Sequence, residues 1–220
     1  MTTLDDLEPF IKAAQDEGAL GVELLRETVT GNRIVRGAGK PEASTFGHDV
    51  LTVRVWVAGG RLGVMRGDPA DAMDLVGQAL ASTFESPEDA LAGPVGRMDT
   101  PSGALSVRDR RYDRLDADGR IEVVDDVRAQ LKDRRFEPGP IVYEDALRRR
   151  TWLSSKGGRL TEEDTWFRVE AGLTGKGLDL HQHTASRSFA SVASLPLGTN
   201  LVQRADALHQ KGRTLPPGPV

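Results

Sequence analysis

His181-Gln182-His183 places two imidazoles two residues apart inside a stretch, Leu178 to Arg187, that reads as a β-strand. Side chains at that spacing point to one face of a strand, so both rings could reach a single metal ion. A tetrahedral site needs more donors. The carboxylates Asp49, Asp164 and Asp179 and the imidazole of His48 are the available ones, but nothing in the sequence brings them together. A solvated or hydrogen-bonded histidine pair is therefore the expectation, and no residue is assigned as a metal ligand. The chain has four histidines (His48, His181, His183 and His209) and no cysteine, which excludes disulfides, cysteine-zinc sites and thiol nucleophiles.

Other reactive patterns fail on spacing. Gly172-Leu173-Thr174-Gly175-Lys176-Gly177 lacks the four residues that a phosphate loop needs between its glycine and its Gly-Lys pair. Ser154-Ser155-Lys156 lacks the Ser-x-x-Lys separation that sets an amine one helical turn from a hydroxyl, and no Gly-x-Ser-x-Gly elbow exists. No nucleophile, base and orienting group can be assembled, so no catalytic and no cofactor-binding residue is assigned. Arg148-Arg149-Arg150, near Tyr143 and Trp152, has the residue types of a nucleic-acid surface. With Glu144 and Asp145 adjacent and a net charge of −4, the expected reading is a charged edge strand that discourages strand pairing, with no nucleic-acid partner. Trp56 and Trp166 oppose the apolar rows of their own strands and either pack under another element or mark a partner surface.

These residues need a scaffold, and its elements follow from periodicity. A helix is expected over 4–17, from Leu4, Leu7, Phe10, Ile11 and Ala14. Strands follow over 21–30 and 33–36, with a turn at Gly31-Asn32. The clearest strand is Val50 to Val57, which Gly59-Gly60 turns back through a two-residue connection into a partner at Leu62 and Val64. Asp68-Pro69 then starts a helix whose core face is Met73, Val76, Ala79, Leu80 and Phe84. A second cycle begins with a helix on Ile121, Val124, Val127 and Leu131 and a break at Glu137-Pro138-Gly139-Pro140. Strands at 141–143 and 147–153 precede one on which Phe167, Val169, Ala171 and Leu173 alternate with polar neighbours. Gly175-Lys176-Gly177 turns it into Leu178 to Arg187. The last helix uses Leu201, Val202, Ala205 and Leu208, with Thr199 or Asn200 as its cap.

Val53 to Leu62 overlays Val169 to Leu178 without gaps, an offset of 116 residues. The order helix, mostly antiparallel strands, helix occurs twice and defines an α+β fold. The boundaries are 1–85 for the first half, 86–111 for a Pro- and Gly-rich linker, 112–212 for the second half and 213–220 for a Pro-rich tail, all within one composite domain. At 220 residues, 38% hydrophobic and 28% charged, the chain can bury a sizeable core. No apolar run is long enough to span a bilayer and the first residues are acidic, so a cytoplasmic setting without membrane contact is expected.

The segment Phe46 to Glu85, FGHDVLTVRVWVAGGRLGVMRGDPADAMDLVGQALASTFE, resembles the amino-terminal domain of the TldD/PmbA, or modulator of DNA gyrase, metallopeptidase family. Ile141 to Arg187 is similar to the later strands of that domain, with Trp152-Leu153-Ser154-Ser155-Lys156-Gly157 where members often carry an Asn-Ser-Glu-Gly-like turn. The resemblance implies the fold of that domain. It also implies that the catalytic zinc, on a His-Glu-x-x-x-His helix with a further cysteine, belongs to a carboxy-terminal domain whose motif is absent here. The expectation is a non-catalytic subunit in a hetero-oligomer (or homo-oligomer) with a TldD-like peptidase. It would contribute to peptide binding, with zinc on the partner chain. The other readings are an independent metal-dependent hydrolase using His181 and His183, and a stand-alone scaffold or ligand-binding domain.

Overall fold

A computed structural model describes residues 6–85, 93–96, 107–132 and 135–209. Most of the expected linker 86–111, and the whole tail 213–220, lie outside the described residues. In chain order the elements are α1 (Glu8–Asp16), β1 (Gly21–Arg36), β2 (Glu42–Val57), β3 (Arg61–Gly67), α2 (Ala72–Ala81), β4 (Phe84–Glu85), α3 (Ala117–Gln130), β5 (Glu137–Ser154), β6 (Arg159–Gly175), β7 (Leu178–Ser186), α4 (Phe189–Ala193) and α5 (Leu197–His209). The strands form one antiparallel seven-stranded sheet in the order β4-β3-β2-β1-β5-β6-β7. The α+β class and the repeated order stand: β5 begins 116 residues after β1, the offset read from the sequence.

Two compact units divide the chain. The first is Met1–Thr30, Phe46–Val107 and Leu147–Asp164; the second is Gly31–Thr45, Arg108–Ala146 and Thr165–Val220. Strands β1, β2, β5 and β6 each contribute to both. In the first unit, Leu7 just before α1, Ile11 and Ala14 of α1, and Leu75, Val76 and Ala79 of α2 bury against Val22 and Leu24 of β1 and Leu51, Val53 and Val55 of β2. Met73 and Phe84, expected in this core, are about half exposed, and Leu75 takes the inward position. The helical face is displaced because Asp68, whose carboxylate accepts from the Ala70 amide at 2.8 Å, caps a 3-10 turn at Pro69–Asp71 before α2 begins. The turn at Gly59-Gly60 is present, but Val57 pairs with Arg61, so three residues connect the strands. Both glycines have positive φ, 80° and 69°, a conformation that costs other residues about 1 kcal/mol or more.

The second unit packs Val123, Val124 and Val127 of α3 and Leu197, Leu201 and Ala205 of α5 over Ile141, Tyr143, Phe167, Val169, Ala171 and Leu173. Three expectations change here. Gly31-Asn32 is strand, not turn: neither residue has positive φ, and the Asn32 side chain donates to Asp145 at 2.8 Å. Glu137-Pro138-Gly139-Pro140 lies inside β5, because prolines two apart remove donors from only one side of a strand. Neither Thr199 nor Asn200 caps the last helix. It starts at Leu197, and its first amides, Gly198 and Thr199, donate to Gln130 Oε1 of α3 at 3.0 and 3.4 Å. The short helix α4 was not foreseen.

Candidate interaction surface

Arg148, Arg149 and Arg150 lie on β5, an interior strand between β1 and β6, so the edge-strand reading is wrong. Each guanidinium meets a carboxylate on β6: Arg148 with Asp164 at 2.7 Å, Arg149 with Glu163, and Arg150 with Glu162 at 2.7 Å. The partners step back one residue on β6 for each residue forward on β5, which is the antiparallel ladder, and opposite charges facing across strands stabilise the pairing. The row continues to β1, where Glu27 receives Arg150 at 3.2 Å, and on to His48 Nε2, 3.2 Å from the same carboxylate. Burial pulls the Glu27 carboxyl upward, but bonds to His48 and Arg150 and the charges of Arg150 and Arg148 outweigh it and hold it below the ordinary range. Beside this row, Glu23, Leu25, Val95, Trp152 and Leu160 surround a cavity of about 280 Å³ in the same unit.

A second cavity in this unit, about 290 Å³, is lined by Arg26, Thr28, Thr30, Asp49, Leu147, Arg149 and Thr151. Arg26 holds Asp49 through two bonds, and Thr28 donates to the same carboxylate at 3.2 Å. The bond from Arg26 lowers the Asp49 carboxyl below its usual range. A carboxylate depressed in the fold contributes stability above its unfolded pKa, near 4, and that stability is lost as pH falls through the lower folded value. Arg26→Gln is therefore expected to flatten the acid side of the stability profile. Urea midpoints between about pH 5 and pH 2 would check this, and an unchanged slope would contradict it.

Trp56, left open between core and partner surface, is packed: it is 5% exposed, with the Arg54 guanidinium 5.0 Å above its ring. Trp166 is half-buried.

The sequence reading missed a buried polar cluster in the second unit. Asp145, fully buried, accepts from Arg120 Nε at 2.6 Å, Tyr143 Oη at 2.9 Å and Asn32 Nδ2 at 2.8 Å. Burial first, and then the Asp145 charge, push the Tyr143 phenol up, so it serves as a donor and not as a base. The signal was present as Asp145 among alternating apolar residues of β5 and Arg120 one position before Ile121 on α3.

His181 and His183 do share a face of β7 and are exposed, opposite Gly172 and Glu170 of β6. Of the remaining candidate donors, Asp179 joins the pair, 3.2 Å from His181 Nε2, whereas Asp164 pairs with Arg148, Asp49 with Arg26, and His48 with Glu27. Among the described residues no group of three or more histidines and carboxylates converges. The zinc that the resemblance implies does not fit this donor set, which lacks cysteine and any His-Glu-x-x-x-His sequence.

Duplicated helix-and-strand cycles feeding one antiparallel sheet define an α+β fold. No protein-family model and no curated protein matches the chain. Solved structures do. A protein assigned as a modulator of DNA gyrase from Bacteroides thetaiotaomicron superposes with a TM-score of 0.78 at 16% identity, over 93% of this chain and 50% of its own. Another from Thermotoga maritima gives 0.76 at 13% identity, over 98% and 50%. TldE from Thermococcus kodakarensis gives 0.65 at 16%, over 90% and 46%. The TldD/PmbA-like fold read from the sequence is thus the fold observed, and the chain spans about half the length of the structures it matches.

Proposed function

We propose that this chain is a non-catalytic subunit of a TldD/PmbA-like zinc metallopeptidase assembly, in which it binds peptide and partner while the protease site resides on a partner chain. One observation carries the reading: nearly the whole chain superposes on two proteins assigned as modulators of DNA gyrase and on TldE, over about half the length of each. The unsuitability of the donor set for zinc agrees with it. The nine-residue strand β7 ends the sheet and supplies an edge to which an extended peptide can add as a further strand. Among the described residues no helix is long and apolar enough to cross a membrane, which is compatible with a cytoplasmic assembly.

Mixing the purified chain with a His-Glu-x-x-x-His-containing partner and measuring mass by light scattering after size exclusion tests the proposal. A stoichiometric complex is the expected result. A monodisperse monomer that ignores the partner would overturn it.

A further inference from the structure

The largest cavity described in the first unit, about 590 Å³, opens between α1 and the turn joining β5 to β6. Its volume suits a small ligand. Ile11 and Leu153, 9% and 2% exposed, supply apolar wall. The turn is fastened from behind: Ser155 donates its amide to the Val22 carbonyl at 2.9 Å, and its hydroxyl accepts from the Val22 amide at 3.0 Å. That hydroxyl still has a proton to donate. Across the opening stand Lys12 and Gln15, one helical turn apart on α1, whose side-chain donors make no bond among the described residues. Arg159, on the same rim, pairs with Glu8, the one carboxylate lining the cavity among the described residues.

Lys12, Gln15 and Ser155 line the opening beside this apolar wall, and among the described residues Lys12 makes no ion pair. We propose that this cleft binds the carboxylate end of an apolar residue, with the side chain against Ile11 and Leu153 and the carboxylate between Lys12, Gln15 and the Ser155 hydroxyl. The natural source assigned to it, the carboxy-terminal residue of a peptide, rests on the peptidase-assembly reading; the chemistry of the cleft does not.

The test titrates the purified chain, without any partner, with N-acetyl-Ala-Ala-Leu as the free acid, its carboxy-terminal amide and 4-methylpentanoate, following backbone amide shifts by NMR. Saturable shifts confined to residues 8–15 and 153–159 are expected, with the amide weaker by about tenfold because a charge-assisted bond is lost. Lys12→Gln is expected to weaken the free acid about fivefold, whereas Glu8→Gln, which removes the repelling carboxylate, strengthens it about threefold. Opposite signs from two rim substitutions separate ligand binding from damage to the fold. If 4-methylpentanoate binds as tightly as the peptide, the cleft chemistry holds and a free acid replaces the peptide as source. Equal binding of acid and amide, or no shifts in these segments, would overturn the proposal. Because no partner is present, failure here leaves the subunit reading to its own experiment.

Discussion

Replacing Asp145 by alanine is expected to destabilise the protein by about 3–5 kcal/mol, the usual consequence of stripping one partner from a buried ion pair. Arg120, with a side chain 10% exposed, would keep its charge and, among the described residues, retain only the Leu115 carbonyl as a hydrogen-bond partner. Tyr143 and Asn32 would lose their acceptor at the same step. Asp145→Asn preserves shape and part of the bonding and should fall between alanine and wild type. Replacing Asp145 by leucine and Arg120 by methionine together should recover much of the loss, because a buried pair exchanged for apolar volume is often close to neutral. Urea unfolding of the four proteins checks the order. Equal stability of the alanine variant and the wild type would show that the cluster contributes nothing.

Gly63→Ala is the second large effect, and its cause is steric. A Cβ at this position of β3 would sit 1.9 Å from the Ala79 carbonyl oxygen and 2.7 Å from its carbon, with Val55 Cγ2 at 3.0 Å. The obstacle is the backbone of α2, which no rotamer change can remove, so the helix must lift from the sheet. A loss of about 3 kcal/mol is expected, at the upper end of ordinary overpacking. Gly77 provides the control, since its added Cβ meets nothing within 4 Å inside the same helix. Gly77→Ala should stabilise by about 0.5–1 kcal/mol through helix propensity. Thermal or urea unfolding of the pair reads both signs, and a neutral Gly63→Ala would mean that α2 does not press on β3 as described.

The architecture was legible where hydrophobic periods were long. Leu51, Val53 and Val55 on β2, and Phe167 to Leu173 on β6, alternate over enough residues to reveal both strands, their buried faces and the 116-residue repeat. Glycine pairs located the hairpins at Gly59-Gly60 and Gly175 to Gly177, where positive φ leaves few other choices, but not the connection from β1 to β2. Punctuation misled where tertiary pairing overrode it. Gly31-Asn32 and Glu137 to Pro140 look like breaks, yet both are carried through as strand by neighbours that no local rule can see.

The charged rows show the same limit. Three consecutive arginines are an unlikely interior strand until Glu162, Glu163 and Asp164 are set opposite them, and that register depends on a hairpin whose turn had to be placed to the residue. Arg120 and Asp145 lie 25 positions apart, and Asn32 reaches Asp145 across 113, separations at which sequence spacing carries no information about contact. The histidine pair was legible as a shared face, but the fate of each candidate donor depended on cross-strand neighbours.

Peptide turnover by the purified chain tests the central claim most directly. A zinc-supplemented sample without a partner, and the same protein carrying His181→Ala and His183→Ala, should both leave a fluorogenic peptide library at the background rate, while adding a His-Glu-x-x-x-His partner should bring turnover to both. Hydrolysis by the isolated chain that disappears when the two histidines are replaced would contradict the account.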